Sequence, residues 1–167
     1  MIRRPPRSTL SSSSAASDVY KRQATDRSLK TLFAHLEKNG VNIKGTLLKP
    51  NMVTSGKDFI EQAGIDEVAH KTLDCLIKNV PAELPGITFL SGGQSDVLAT
   101  AHLDAMNKIG GFTWKLSFSY GRALQQAALK AWSGNVENET AAQEVFSHRA
   151  KMNKLAALGE WESSLEN

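Results

Sequence analysis

The chain has 167 residues, with 20 Lys and Arg against 17 Asp and Glu, four His and a single Cys. That length supports one domain with its own core, while the lone Cys75 and the dispersed histidines offer neither a disulfide framework nor a metal-ligand cluster, so a reducing, cytoplasmic setting is the default. No apolar run is long enough to span a membrane, and the formal charge of +3, which would otherwise suggest nucleic acid, is confined to one end.

Residues 1–23, MIRRPPRSTLSSSSAASDVYKRQ, hold Arg3, Arg4, Arg7, Lys21 and Arg22 against Asp18 alone, a net +4 that leaves the remainder at −1. The basic character belongs to this leader, and the domain itself has no electrostatic case for nucleic acid. An Arg- and Ser-rich, acid-poor leader suits a targeting peptide or a disordered arm. A third reading is that the leader is not native. Asp18–Gln23 can be written GAT-GTG-TAT-AAG-AGA-CAG, which resembles the transposon end of sequencing-library adapters. On that reading residues 1–23 are translated adapter without structure, and residues 24–167 carry the fold.

From Ala24 onward, helical spacing of Leu29, Leu32, Phe33 and Leu36 predicts a helix over Asp26–Lys38, ended by Asn39-Gly40. VNIKGTLLKP then reads as a short apolar strand ending on Lys49, followed by a loop through Ser55-Gly56. Residues 66–79 predict an amphipathic helix with Val68, Leu73, Leu76 and Ile77 apolar, broken by Pro81 and Pro85-Gly86. Gly86–Leu90 is a second strand, and Ser95–Lys108 a helix ended by Gly110-Gly111. A third strand covers Trp114–Ser119. The helix Ala123–Trp132 stops at Ser133-Gly134, and a last helix covers about Glu139–Leu158, with Thr140–Gln143 as a capping box.

Strands alternating with helices imply βα units and a parallel sheet. No strand alternates cleanly with charge, so both faces of the sheet are expected to be covered. Parallel strands put Lys49, Ser91-Gly92-Gly93 and Ser119-Tyr120-Gly121-Arg122 at the carboxyl ends of three successive strands. Ser91-Gly92-Gly93-Gln94-Ser95 suits an anion, through backbone N–H groups and a helix N-terminus. It equally suits a tight βα turn with Ser95 as an ordinary N-cap. Ser119-Tyr120-Gly121-Arg122 repeats that choice, with Arg122 as a planar fork of donors for a phosphate. In (βα)₈ barrels the loops after the last two strands commonly form a phosphate site.

Lys49 has a plain reading, as a strand-end lysine pointing into water, and a chemical one. A desolvated amine at a barrel mouth can lose its proton near neutral pH and attack a ketone to give a Schiff base, an electron sink for C–C cleavage. Pro50 holds the backbone at Lys49 extended. His35, His70, His102 and His148 fall singly on predicted helices and read as solvated or half-buried. Cys75 reads as core, and Trp114 and Trp132 as packing between sheet and helices. Asp58, Glu61 and Asp96 could serve as acid or base, with no spacing that singles one out.

GTLLKPNMV, GITFLSGGQS and WKLSFSYGRALQQAALKAW, in that order, resemble the C-terminal half of class I fructose-1,6-bisphosphate aldolase over Thr25–Glu160. AHLDAMNK and HRAKMNKLAALGEW look like the bacterial branch. The resemblance implies an α/β fold that is the C-terminal part of a TIM (βα)₈ barrel, about strands 6–8 with their helices and a C-terminal helix. It implies that Lys49 forms the Schiff base, and that Ser91, Gly92, Gly93, Ser119, Gly121 and Arg122 bind a substrate phosphate. Tyr120 is assigned a packing or backbone role. The substrates implied are fructose 1,6-bisphosphate and dihydroxyacetone phosphate, with no metal or other cofactor, no nucleic-acid or membrane partner, and a homo-oligomeric parent enzyme. The family's other catalytic groups, an aspartate, two lysines, an arginine and two glutamates, lie on earlier strands and have no counterpart motifs here. A full barrel needs about 250 residues and eight strands, so residues 24–167 are expected to be a fragment, inactive alone. The competing readings are another Schiff-base sugar-phosphate aldolase and a non-catalytic phosphate-binding βα module.

Overall fold

The computed structural model describes residues 18–167, with side chains from Lys21 onward. Its elements run α1 (Asp18–Lys38), β1 (Leu47–Leu48), α2 (Ile65–Asn79), β2 (Gly86–Phe89), α3 (Asp96–Ile109), β3 (Lys115–Phe118), α4 (Arg122–Trp132) and α5 (Glu139–Leu158). Short 3₁₀ turns sit at Ile43–Gly45, Val136–Asn138 and Ser163–Glu166. The sheet is parallel, in the order β1-β2-β3, with Leu48 paired to Ile87 and Ile87 to Leu116. Sequential parallel strands joined by right-handed crossovers put their helices on one side.

Side-chain alternation along a strand then decides which residues meet those helices. Leu48, Ile87, Phe89 and Leu116 are buried, and they share one core with Val68 and Leu73 of α2, Leu103 and Met106 of α3, and Met152 of α5. Ile87 and Phe89 are fully buried, each worth about 1.5–3 kcal/mol relative to exposure. The opposite face is open among the described residues. Leu47 is 64% exposed, Lys49 and Lys115 are exposed, and Thr88 and Ser117 are half-buried. This corrects the expectation of a sheet covered on both sides: among the described residues, helices cover the apolar strands on one face only.

Several other expectations change. Helix α1 begins at Asp18 rather than Asp26, so residues 18–23 of the supposedly structureless leader are helical, while residues 1–17 lie outside the described residues. Lys21 Nζ donates to the Ser55 carbonyl at 3.2 Å, which ties the added turn to the loop after β1. Only Leu47–Leu48 of VNIKGTLLKP is strand, because Asn42 caps a 3₁₀ turn by accepting from Lys44 N–H at 3.1 Å. Asn138, not Thr140, precedes α5, with no side-chain cap bond. Thr140 lies within the helix, and Gln143 donates instead to Glu139 Oε1 at 2.9 Å. Ile77 and Trp132 are 55% and 44% exposed, and Trp132 borders an open concavity between α4 and α5. Trp114 is buried as expected and donates to the Pro81 carbonyl at 2.8 Å.

Helix α1 is anchored on α2 through Asp26, which accepts from Cys75 Sγ at 3.1 Å and Asn79 Nδ2 at 2.7 Å and lies 3.5 Å from Lys78 Nζ. Burial opposes its charge, yet the hydrogen bonds from Cys75 and Asn79 and the Lys78 ammonium outweigh that and hold the carboxyl below its ordinary range. Burial, reinforced by Asp26, pushes the Cys75 thiol up to about 12. It is a structural thiol, not a nucleophile.

Candidate active site at the strand ends

Ladder hydrogen bonds continue past the strands and fasten their carboxyl ends together. Leu90 N–H donates to the Pro50 carbonyl at 3.1 Å, and Ser119 N–H donates to the Phe89 carbonyl at 2.9 Å. Proline cannot donate, but its carbonyl can accept, so Pro50 ends β1 while still pairing with the next strand. Extending the register by one residue sets Lys49 beside Thr88 on the open face. Lys49 is exposed there.

In the loop after β2, Gly92 and Gly93 have φ of 61° and 88°. That left-handed conformation strains any residue with a Cβ. Ser91 is half-buried, and both glycines are exposed, backbone included. Ser95 caps α3, its Oγ accepting from Leu98 N–H at 3.2 Å. Gln94 closes the loop on itself: its backbone N–H donates to the Ser91 carbonyl at 3.1 Å and its Nε2 to the same oxygen at 2.8 Å.

The loop after β3 is held differently. Tyr120 is buried and donates its hydroxyl to the Ala99 carbonyl of α3 at 2.9 Å, and burial raises its phenol above the ordinary range. That is the packing role expected of it. Gly121 is the N-cap of α4 and offers no side-chain cap, leaving Arg122 at the first helical position. Ser119, Gly121 and Arg122 are exposed. A cavity of about 220 Å³ lies between the starts of α3 and α4, lined by Gln94, Ser95 and Asp96 on one side and Arg122, Gln126 and Lys130 on the other, and of the expected phosphate-binding residues it includes Arg122. Lys49 does not line it and is related to it only through the sheet. A larger concavity of about 690 Å³ lies between α4 and α5 against Leu129, Trp132 and Phe146, away from the strand ends.

One residue of this region escaped the reading of the sequence. His102, expected to be solvated or half-buried, is 2% exposed, and its Nδ1 lies 2.5 Å from Gln94 Oε1. Burial lowers its pKa to about 4, so the ring is neutral at pH 7. Because Gln94 Nε2 is the donor to Ser91, Oε1 must accept, and Nδ1 carries the proton. The available signal was position: His102 falls on the same face of α3 as the buried Ala99 and Met106.

Comparison with known proteins decides the family. A family profile described as "Glycolytic: Fructose-bisphosphate aldolase class-I" matches residues 16–167. The chain belongs to the class-I fructose-bisphosphate aldolase family. A probable class 1 aldolase of Xylella fastidiosa is 55% identical over 140 residues, covering 83% of this chain and 42% of that protein. Fructose-bisphosphate aldolase B of Sparus aurata is 49% identical over 142 residues, covering 84% and 39%. The aldolase of Plasmodium falciparum, solved in a ternary complex with TRAP and a small-molecule inhibitor, superposes with a TM-score of 0.87 at 41% identity, over 89% of this chain and 43% of that one. The fold is the C-terminal part of the aldolase barrel, as expected. The chain spans about two-fifths of the length of these aldolases.

Proposed function

We propose that these strand ends are the Schiff-base and phosphate-binding side of an enzyme that reversibly cleaves fructose 1,6-bisphosphate to dihydroxyacetone phosphate and glyceraldehyde 3-phosphate. The observation that carries this is the pair of ladder bonds from Leu90 to Pro50 and from Ser119 to Phe89, which bring Lys49 and both glycine loops to one sheet end. Of the residues proposed to hold the phosphate, Arg122 lines the nearby cavity, with Lys130 as a second cation and the Asp96 carboxylate opposite. Lys49 Nζ would add to the C2 carbonyl, and loss of water would leave an iminium. Cleavage of C3–C4 sends the electron pair into that iminium, giving an enamine and releasing the aldehyde as the C4 hydroxyl loses its proton. Protonation of the enamine at C3 and hydrolysis return dihydroxyacetone phosphate and the free amine. Ser91, Gly92, Gly93, Ser119, Gly121 and Arg122 would hold the phosphate with backbone and guanidinium donors.

The C4 proton needs a base, the family's other catalytic groups have no counterpart motifs in this sequence, and the amine is exposed on an open sheet face. The isolated chain is therefore proposed to be inactive. A cytoplasmic setting and a homo-oligomeric parent complete the reading. We also propose that residues 1–23 are not native. Genomic sequence across Gln23–Ala24 tests this: a frame that continues upstream into barrel strands supports it, and a locus that encodes MIRRPPRSTL before ATDRSLK overturns it.

The functional test is a chimera in which residues 24–167 replace the matching segment of the Xylella aldolase. It should cleave fructose 1,6-bisphosphate, and Lys49→Met should reduce kcat by at least about a thousandfold, as loss of a covalent nucleophile does. A chimera that folds but cleaves another phosphorylated sugar instead would favour a different Schiff-base aldolase. Activity that survives Lys49→Met would reduce the strand ends to a binding module.

A further inference from the structure

The loop Ser91–Gln94 is exposed at its two glycines, yet it is fastened from beneath by a buried side chain. Gln94 Nε2 donates to the Ser91 carbonyl at 2.8 Å and lies 3.6 Å from Met52 Sδ, while Gln94 Oε1 faces His102 Nδ1 at 2.5 Å. His102 is 2% exposed, on the face of α3 that packs into the core. Its Nε2 is buried with no hydrogen-bond partner among the described residues. A core position that needed only volume would be better filled by an apolar side chain, because a buried polar atom without a partner costs stability. The polar contact that the imidazole does make is with Gln94. An exposed glycine pair has many conformations open to it, so aiming the Gly92 and Gly93 N–H groups outward requires a fixed neighbour, and the Gln94 amide supplies one.

We propose that His102 is a positioning residue for the anion-binding loop: its Nδ1–H holds the Gln94 side chain, which holds the Ser91 carbonyl and so presents the Gly92 and Gly93 amides to a phosphate. This rests on the reading of Ser91–Gly93 as a phosphate loop. It predicts the effect of one conservative change. In Asn, Nδ2 occupies nearly the place of Nδ1 in His and also donates, so His102→Asn keeps the brace, whereas His102→Ala removes it. Gln94→Ala breaks the same link from the loop side without opening a cavity in the core.

The test follows the backbone amide resonances of Gly92 and Gly93 in the 167-residue chain while inorganic phosphate is added. Wild type should show saturable shifts at both. His102→Ala and Gln94→Ala should each weaken phosphate binding about fivefold, the size of one neutral hydrogen bond, and His102→Asn should return it to near the wild-type value. Equal binding by wild type and Gln94→Ala would overturn the proposal while leaving the phosphate loop standing, even if His102→Ala fails to fold. Weakening by His102→Ala that His102→Asn does not relieve would also overturn it, since loss of core volume would then explain the effect. No response of Gly92 and Gly93 in wild type would remove the phosphate-loop reading and this proposal with it.

Discussion

The two faces of the three-stranded sheet differ in almost every physical respect. The face toward the helices is close-packed around Ile87 and Phe89, and two of the polar side chains there are tied down: Tyr120 donates to Ala99, and His102 to Gln94. The face that carries Lys49 presents Leu47, Lys115 and the half-buried Thr88 and Ser117 without a covering layer among the described residues. One face is packed, and the other carries the lysine proposed as the nucleophile. A side chain that must react cannot also be locked into the core, and an amine that must become a nucleophile needs water excluded by something beyond these three strands.

This contrast is open to test, beginning where the effect should be largest. Phe89→Ala should cost about 3–5 kcal/mol in urea unfolding, through lost transfer energy and the cavity left behind. A loss under about 1 kcal/mol would mean that the helix-facing side is not a packed core. Acid titration should come next in size. His102 has a folded pKa of about 4 against an ordinary 6.5, so between those values the unfolded chain binds the extra proton. Its contribution is therefore complete above pH 6.5, is lost as pH falls toward 4, and changes no further below that. The loss is on the order of 3 kcal/mol, and it should be absent from the difference between pH 6.5 and pH 4 in His102→Asn.

A smaller effect is expected for Tyr120→Phe, about 1 kcal/mol, from loss of the buried hydroxyl that donates to Ala99. Smallest of all, Leu47→Ala on the open face should change stability by no more than about 0.5 kcal/mol. A large cost there would show that the open face is covered in solution, by a second copy of the chain or by residues before Asp18.

The βα units read well from the sequence because their signals were local. GITFL and WKLSFS are bounded by glycine and proline, and Ser95 and Gly110 sit at the ends of α3 where start and stop signals put them. The strand at GTLLKP was legible only in part, since Asn42 diverts its first residues into a turn. What failed was whatever depended on neighbours distant in sequence. Ile77 and Trp132 are apolar by pattern yet exposed, because periodicity identifies a face without saying whether anything covers it. His102 looked like any lone helical histidine, since its partner, Gln94, is met only when the loop folds back over the first turns of α3. The convergence of Lys49 with the two glycine loops followed from strand order alone, whereas the cavity joining Ser95 to Arg122 required the structure.

The central claim is that Lys49 is the nucleophile of this sheet end, and covalent trapping tests it most directly. The chimera that carries residues 24–167 would be incubated with dihydroxyacetone phosphate, reduced with borohydride, digested, and the adduct located by mass spectrometry, with the isolated chain treated in parallel. The account predicts a reduced adduct on the peptide containing Lys49 in the chimera and none in the isolated chain. An adduct on another lysine of the chimera, or none at all in an enzyme that still cleaves fructose 1,6-bisphosphate, would contradict it.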